Sequence, residues 1–177
     1  MATTIQTFFE QAKSRQFARD FLFRVKQINL AGGVSFNGET DLVYARTAAL
    51  PGRNIENKTV NYVGQQFNVP GKSTYPGSEG YTIEFYHEEA ITLRKKFEAA
   101  SRSVFNNDTS TGDYKMPGEE STITLSVLNS QLEETDTIVL IGASIRDVGE
   151  VSYTIAEGSG EILTFNVTFA YHFYNRF

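Results

Sequence analysis

EILTFNVTFAYHFY, residues 161–174, alternates apolar and polar side chains over nearly its whole length. Leu163, Phe165, Val167, Phe169, Tyr171 and Phe173 fall on one face. Ile162, Thr164, Asn166, Thr168, Ala170, His172 and Tyr174 fall on the other. Successive side chains of a strand point to opposite faces, so a period of two marks a strand with one buried face. One continuous strand is predicted over 161–174, long beside the usual ~5–6 residues. The preceding Glu157-Gly158-Ser159-Gly160 supplies a turn, and GEVSYTIA (149–156), with Val151, Tyr153 and Ile155 on one face, predicts its hairpin partner.

The same period recurs upstream. STITLSV (121–127) places Ile123, Leu125 and Val127 on one face, and YTIEFY (81–86) does so with Tyr81, Ile83 and Phe85. TIVLIGA (137–143) is nearly all apolar, as in a strand buried on both sides or at an interface. FLFRVKQI (21–28) reads as a strand ending in a turn around Gly32 and Gly33. Asn37-Gly38 is a second hairpin signal, after which Leu42, Val43 and Tyr44 are expected to restart a strand. Rings suit such surfaces, and the chain carries 14 Phe and 9 Tyr.

Two stretches break the pattern in favour of helix. Ala90, Leu93, Phe97, Ala100 and Val104 recur at helical spacing, with Glu88 and Glu89 at one end and Arg102 at the other, signs that suit a helix dipole. A main helix is predicted over about 88–105. Ile5, Phe8, Phe9 and Ala12 predict a short amphipathic N-terminal helix over 4–13, with Thr3 and Gln6 resembling a capping box. The fold class is therefore mainly β, a sandwich or partial barrel of two antiparallel sheets with one main helix. At 177 residues one domain spans 1–177.

Residues 47–80 differ from the rest. Three of the four prolines lie there, as Pro51-Gly52, Pro70-Gly71 and Pro76-Gly77, each expected to mark a turn. NKTVNYVGQQFNV between them has strand-like pieces. An extended excursion leaves the body of the domain here and returns, and long loops of compact domains usually carry function. Residues 106–120 are expected to be a polar loop.

Composition excludes several classes of function. With no cysteine there is no disulfide, thiol nucleophile or thiolate metal site. The first residues lack a basic stretch followed by an apolar core, so no secretory leader is expected. No apolar run approaches the ~18 residues of a membrane span, so no membrane insertion is expected. The net charge of −5 is uneven: residues 1–100 carry 12 Lys+Arg against 10 Asp+Glu, and residues 101–177 carry 4 against 11. An acidic half disfavours tight phosphate binding, which needs clustered cations.

No constellation for catalysis emerges. His87 and His172, the two histidines, lack metal-binding partners at helical or strand spacing. His87 is expected as a helix-start residue and His172 as an interface or satisfied polar group. GGVSFNG (32–38) and GSEG (77–80) lack the following helix or the Lys-Ser/Thr of phosphate loops. Glu119/Glu120 and Glu133/Glu134 are adjacent in sequence and lack the facing geometry of an acid/base pair. No cofactor, no metal and no enzymatic activity are expected.

Three stretches, FARDFLFRV (17–25), ARTAALPGRNIENKTVNYVGQQFNVPG (45–71) and LIGASIRDVGEVSYTIAEGSGEILTFNVTFAYHFY (140–174), together resemble the tail tube proteins of contractile-tailed, T-even-type bacteriophages. TIEFYHEEAITLRKKFE (82–98) follows the second in the expected place. Arg146 and Asp147 stand near where many relatives have proline, which leaves the local turn open. Tube subunits of type VI secretion and of extracellular contractile injection particles are similar, so the resemblance leaves open a tube subunit of one of those systems, or a tube-initiating paralogue at the baseplate.

The resemblance implies a structural virion protein, assembled in the host cytoplasm, whose copies close into six-membered rings and stack into the tail tube. Its implied partners are itself, the tail sheath, baseplate and tail terminator proteins, with phage DNA passing through the lumen without specific binding. The acidic C-terminal half would then leave the lumen negative. Candidate subunit contacts are Phe8 and Phe9 on the N-terminal helix, and Arg46, Leu50, Arg53, Ile55, Glu56, Tyr62 and Phe67 in or beside the excursion. The rival expectations are a monomeric β-sandwich binding module and a small β-sandwich enzyme.

Overall fold

The computed structural model describes residues 5–13, 15–155 and 158–177. The chain opens with α1 (Ile5–Lys13), none of whose side chains is buried. β1 (Phe23–Leu30) and β2 (Val34–Asn37) then pair antiparallel across Gly32 and Gly33, whose positive φ angles of 89° and 79° suit glycine. Asn37-Gly38 does not make the expected second hairpin. The Gly38 N–H donates to Lys26 O and the Asp41 N–H to Asn37 O, which curls the chain over. Leu42–Tyr44 consequently forms one 3-10 turn in place of the expected strand start, with Leu42 buried. The strand begins later, as β3 (Ala45–Ala48).

The excursion is a long hairpin of β4 (Asn54–Tyr62) and β5 (Gln65–Thr74), which among the described residues pair only with each other. Pro70-Gly71 lies inside β5, not at a turn. The register shifts beside it, a bulge where a residue without an N–H is tolerated. A Cβ at Gly71 would sit 2.9 Å from Glu56 O, so glycine lets the two backbones approach.

β6 (Tyr81–Tyr86) follows, then α2 (Thr92–Val104). The main helix therefore starts four residues later than predicted. Ile91 has a left-handed backbone (φ 58°), which cannot be helical, and Glu88 caps from outside: its Oε1 accepts the Leu93 N–H at 2.7 Å. Ala90 is exposed, whereas Leu93, Phe97 and Ala100 form the buried stripe. The polar stretch after the helix contains one minimal ladder, β7 (Phe105–Asn106) with β8 (Thr111–Gly112).

β9 (Thr122–Leu128), β10 (Glu134–Ile141), β11 (Ser144–Val148), β12 (Thr164–Ala170) and β13 (Phe173–Arg176) complete the chain. Two antiparallel sheets result, one of five strands in the order β13-β10-β9-β1-β2 and one of four in the order β11-β12-β6-β3. Their inner rows meet as the core: Val25, Ile28, Ile123, Leu125, Ile138 and Leu140 face Ile83, Phe85, Phe165, Val167 and Phe169. Phe97 of α2 enters between them, within 6.4 Å, ring centre to ring centre, of Phe36, Phe85, Phe165 and Phe169.

The long final strand is corrected. It breaks at Tyr171-His172, and its two pieces lie in different sheets. The face also flips there: Tyr174 pairs with Leu140 and turns toward the core, while Phe173 pairs with Ile141 and is partly exposed. Gly142 permits the crossing, with φ 71° and no room for a Cβ against the His172 ring. The partner of β12 is likewise corrected. It is β11, in the region where a turn was left open, and not 149–156. The described part of that segment forms no strand; Tyr153 and Ile155 are exposed. Glu157 of the expected turn lies outside the described residues.

Candidate functional site

β4 and β5 are joined by a two-residue turn, Val63-Gly64, with both φ angles positive (48° and 74°), the arrangement whose twist matches paired strands. A β-branched residue is an outlier in that conformation, and Val63 is also 83 % exposed at the tip. Opposed residues of a ladder share a face. The pairs Val60↔Phe67, Lys58↔Val69 and Tyr62↔Gln65 therefore set Val60, Tyr62, Phe67 and Val69 on one side. Asn57, Thr59, Asn61, Gln66, Asn68 and Pro70 take the other.

The hairpin is thus a two-faced ribbon, one side mainly apolar with Lys58 and Gln65 among its four apolar side chains, and one side largely amides. Val60, Tyr62, Phe67 and Val69 are roughly half exposed or more. Covering what remains exposed of four such side chains would contribute about 3–6 kcal/mol. A two-stranded ribbon is marginal alone in water, so this term is large beside its own stability.

Of the predicted contacts, Tyr62 and Phe67 come together on the apolar face. Ile55 does not: strand alternation puts it on the side of Asn57 and Thr59. Arg53 and Glu56 are engaged within the ribbon, Arg53 Nε donating to Ser73 Oγ at 3.1 Å and Glu56 Oε1 lying 3.5 Å from Lys72 Nζ. Exposed pairs of this kind contribute ~0–1 kcal/mol. Leu50 is exposed on the segment leading into β4. Arg46 lies on β3 of the four-stranded sheet, its Nη1 donating to Glu84 Oε1 at 3.0 Å and its guanidinium 5.9 Å from the Tyr86 ring centre. Phe8 and Phe9 are exposed on α1. Val60, Val63 and Val69 complete the hairpin surface without having been singled out in sequence. Their signal was the alternation in TVNYV and QFNV on either side of Val63-Gly64.

His87 precedes α2 and is not part of it; its N–H donates to Leu163 O, and its Nε2 lies 2.7 Å from Tyr153 Oη. His172 is exposed at the sheet crossing. Among the described residues no group of three or more His, Asp or Glu is placed to hold a metal ion, and no helix is long and apolar enough to cross a membrane. Most acidic residues after position 100 sit in turns and at strand ends, such as Asp108, Asp113, Glu119, Glu120, Glu133 and Glu150. The outward rows of the five-stranded sheet hold Gln27, Asn29, Ser35, Thr122, Thr124 and Asn175, together with Val139, Ile141 and the charged Arg24.

No protein-family model matches this chain, and no curated protein matches it by sequence. Its fold, however, is found among solved structures. A chain of the anti-feeding prophage baseplate, solved by cryo-EM with 6-fold symmetrisation, superposes with a TM-score of 0.64 at 14 % identity, over 92 % of this chain and 97 % of that one. A chain of the tube-terminating cap of the same particle gives 0.61 at 13 %, over 92 % and 91 %. A chain of the extended sheath-tube complex of an extracellular contractile injection system (PVC) gives 0.55 at 15 %, over 94 % and 95 %. Nearly whole chains superpose in each case. This protein has a fold shared with components of contractile injection particles.

Proposed function

We propose that this chain is a structural subunit of a contractile tail or injection particle, and that its copies associate laterally into rings and stack into an inner tube. The observation that carries this is the β4–β5 ribbon, an apolar surface held outside the sandwich by a fold otherwise found in baseplate, cap and sheath-tube assemblies. The 6-fold symmetrisation of one such assembly supports six-membered rings. Contact between a projecting element of one copy and a different surface of the next is heterologous, and heterologous contacts build rings or open filaments.

Edge strands β2, β13, β3 and β11 offer the unpaired backbone through which sheets of adjacent copies would join, which removes exposed edges. The subunit works by assembly, without catalysis, in contact with sheath, baseplate and terminator proteins. In a phage particle the lumen would carry DNA. Negative-stain imaging with sedimentation of the purified chain tests the proposal: rings or tubes are expected, and a monomer at high concentration would overturn it.

A second assignment, a ring at one end of the tube, is favoured by the likeness to baseplate and cap chains. It predicts rings that do not stack.

A further inference from the structure

Two irregular segments, 49–53 and 75–80, join the ribbon to the sandwich. The first is tied by Tyr81, whose Oη donates to Ala49 O at 2.7 Å. The second is tied three times: the Tyr75 ring meets Tyr174 edge-on with centroids 5.5 Å apart, the Tyr171 N–H donates to Ser78 O at 2.9 Å, and Arg146 Nη1 donates to Glu79 O. Tyr81 itself meets Tyr171 edge-on at 5.9 Å, so the two attachments share a centre. Tyr171 lies in the break where the chain leaves one sheet for the other, and Tyr174 lies just after it on β13. Both legs of the ribbon are therefore anchored at the sheet crossing.

Tyr81 is 6 % exposed, and a buried phenol needs a partner for its hydroxyl. The partner it finds is Ala49 O, on the leg of the projecting element. A docking element that swings freely loses that freedom on binding, and holding it beforehand reduces the loss.

We propose that Tyr81 and Tyr75, braced by Tyr171 and Tyr174, are positioning residues that set the angle of the β4–β5 ribbon for contact with a second copy of this chain. The role of the ribbon rests on the assembly proposed above, whereas its angle is measurable in the single subunit.

The chain has no cysteine, so spin labels at Asn61→Cys and Lys95→Cys report the ribbon-to-helix distance cleanly. Tyr81→Phe keeps the ring and removes one oxygen. The expected result is a distance distribution at least twice as broad as in the parent, with the concentration needed for polymerisation raised at least tenfold. Tyr153→Phe, which loses the contact with His87 away from the ribbon, leaves both unchanged. An unaltered distribution in Tyr81→Phe would overturn the proposal. Should that variant fail to fold, Tyr75→Leu on the other leg carries the same expectation and is decided by the same comparison. A parent that never polymerises sinks the assembly role and leaves the distance measurement to decide the clamp.

Discussion

Phe36 of β2 and Phe97 of α2 stack with ring centres 4.3 Å apart and planes 17° from parallel. One ring belongs to the edge of the five-stranded sheet and the other to the helix, so the contact joins helix to sheet at the heart of the core. Phe97 is fully buried. Phe97→Ala is expected to cost about 3–5 kcal/mol, from lost burial plus the cavity left behind. Denaturant unfolding followed by circular dichroism measures it, and a loss under ~1 kcal/mol would mean the helix is not part of the core.

The apolar ribbon face predicts a separation of stability from assembly. Phe67→Asp changes an exposed position and places no like charge opposite it, so subunit stability should move by no more than about 1 kcal/mol. Polymerisation should be lost. The same charge at buried Phe165 or Phe169 should instead abolish folding, because an unpaired charge is left in the core. Sedimentation and thermal melts on the two sets separate these outcomes.

Val63 predicts a trade. Its left-handed backbone costs ~1–2 kcal/mol for an ordinary L-residue, a conformation that asparagine visits far more readily. Val63→Asn should raise the melting temperature of the subunit while removing an exposed apolar contact from the tip. A stabilised variant that assembles less well is the expected outcome; a destabilised one would show that the valine is well housed.

Gly142→Ala should destabilise by more than about 1 kcal/mol, since the backbone is left-handed and the added methyl meets the His172 ring. The Gly64→Ala comparison isolates the steric part, because Gly64 also has positive φ but nothing near its Cβ position.

Alkaline pH should weaken the fold through its buried phenols. Burial, foremost, and the neighbouring Tyr171 raise the pKa of Tyr81 above the ordinary tyrosine value, and burial raises that of Tyr171 as well. The folded state thus holds these protons more tightly than the unfolded one. The stabilisation is whole below pH ~10 and is lost as pH climbs from there toward the folded value. Denaturant midpoints of the parent should fall above that pH, and Tyr81→Phe should show a shallower fall.

Much of the fold is legible in sequence because burial has a period. Ile83, Phe85, Ile123, Leu125, Phe165, Val167 and Phe169 lie inward as their alternation predicts. What alternation cannot report is which sheet a strand joins. Residues 161–174 look continuous because apolar side chains are wanted on both sides of the sheet crossing, though a different parity serves the core after it. Val151, Tyr153 and Ile155 alternate equally well without forming a strand, since the edge of β12 they would occupy is taken by β11. The helix start depended on one left-handed residue, Ile91, with no compositional mark. Of the site, the excursion and its Tyr62 and Phe67 were legible. Its turn was not, because Val-Gly is a poor turn signal and Pro70-Gly71 a false one.

The ribbon and the sandwich also differ in when they can form. β4 and β5 meet across two residues, an event of ~1–10 μs, whereas β1 must find β9 about a hundred residues along the chain. A newly made chain therefore passes through a period in which its apolar strip can flicker into shape before the body that orients it exists. Encounters between such chains would join the right surfaces at the wrong angles. Productive yield should consequently depend on how dilute the chains are while they fold, and not only on how stable the finished subunit is.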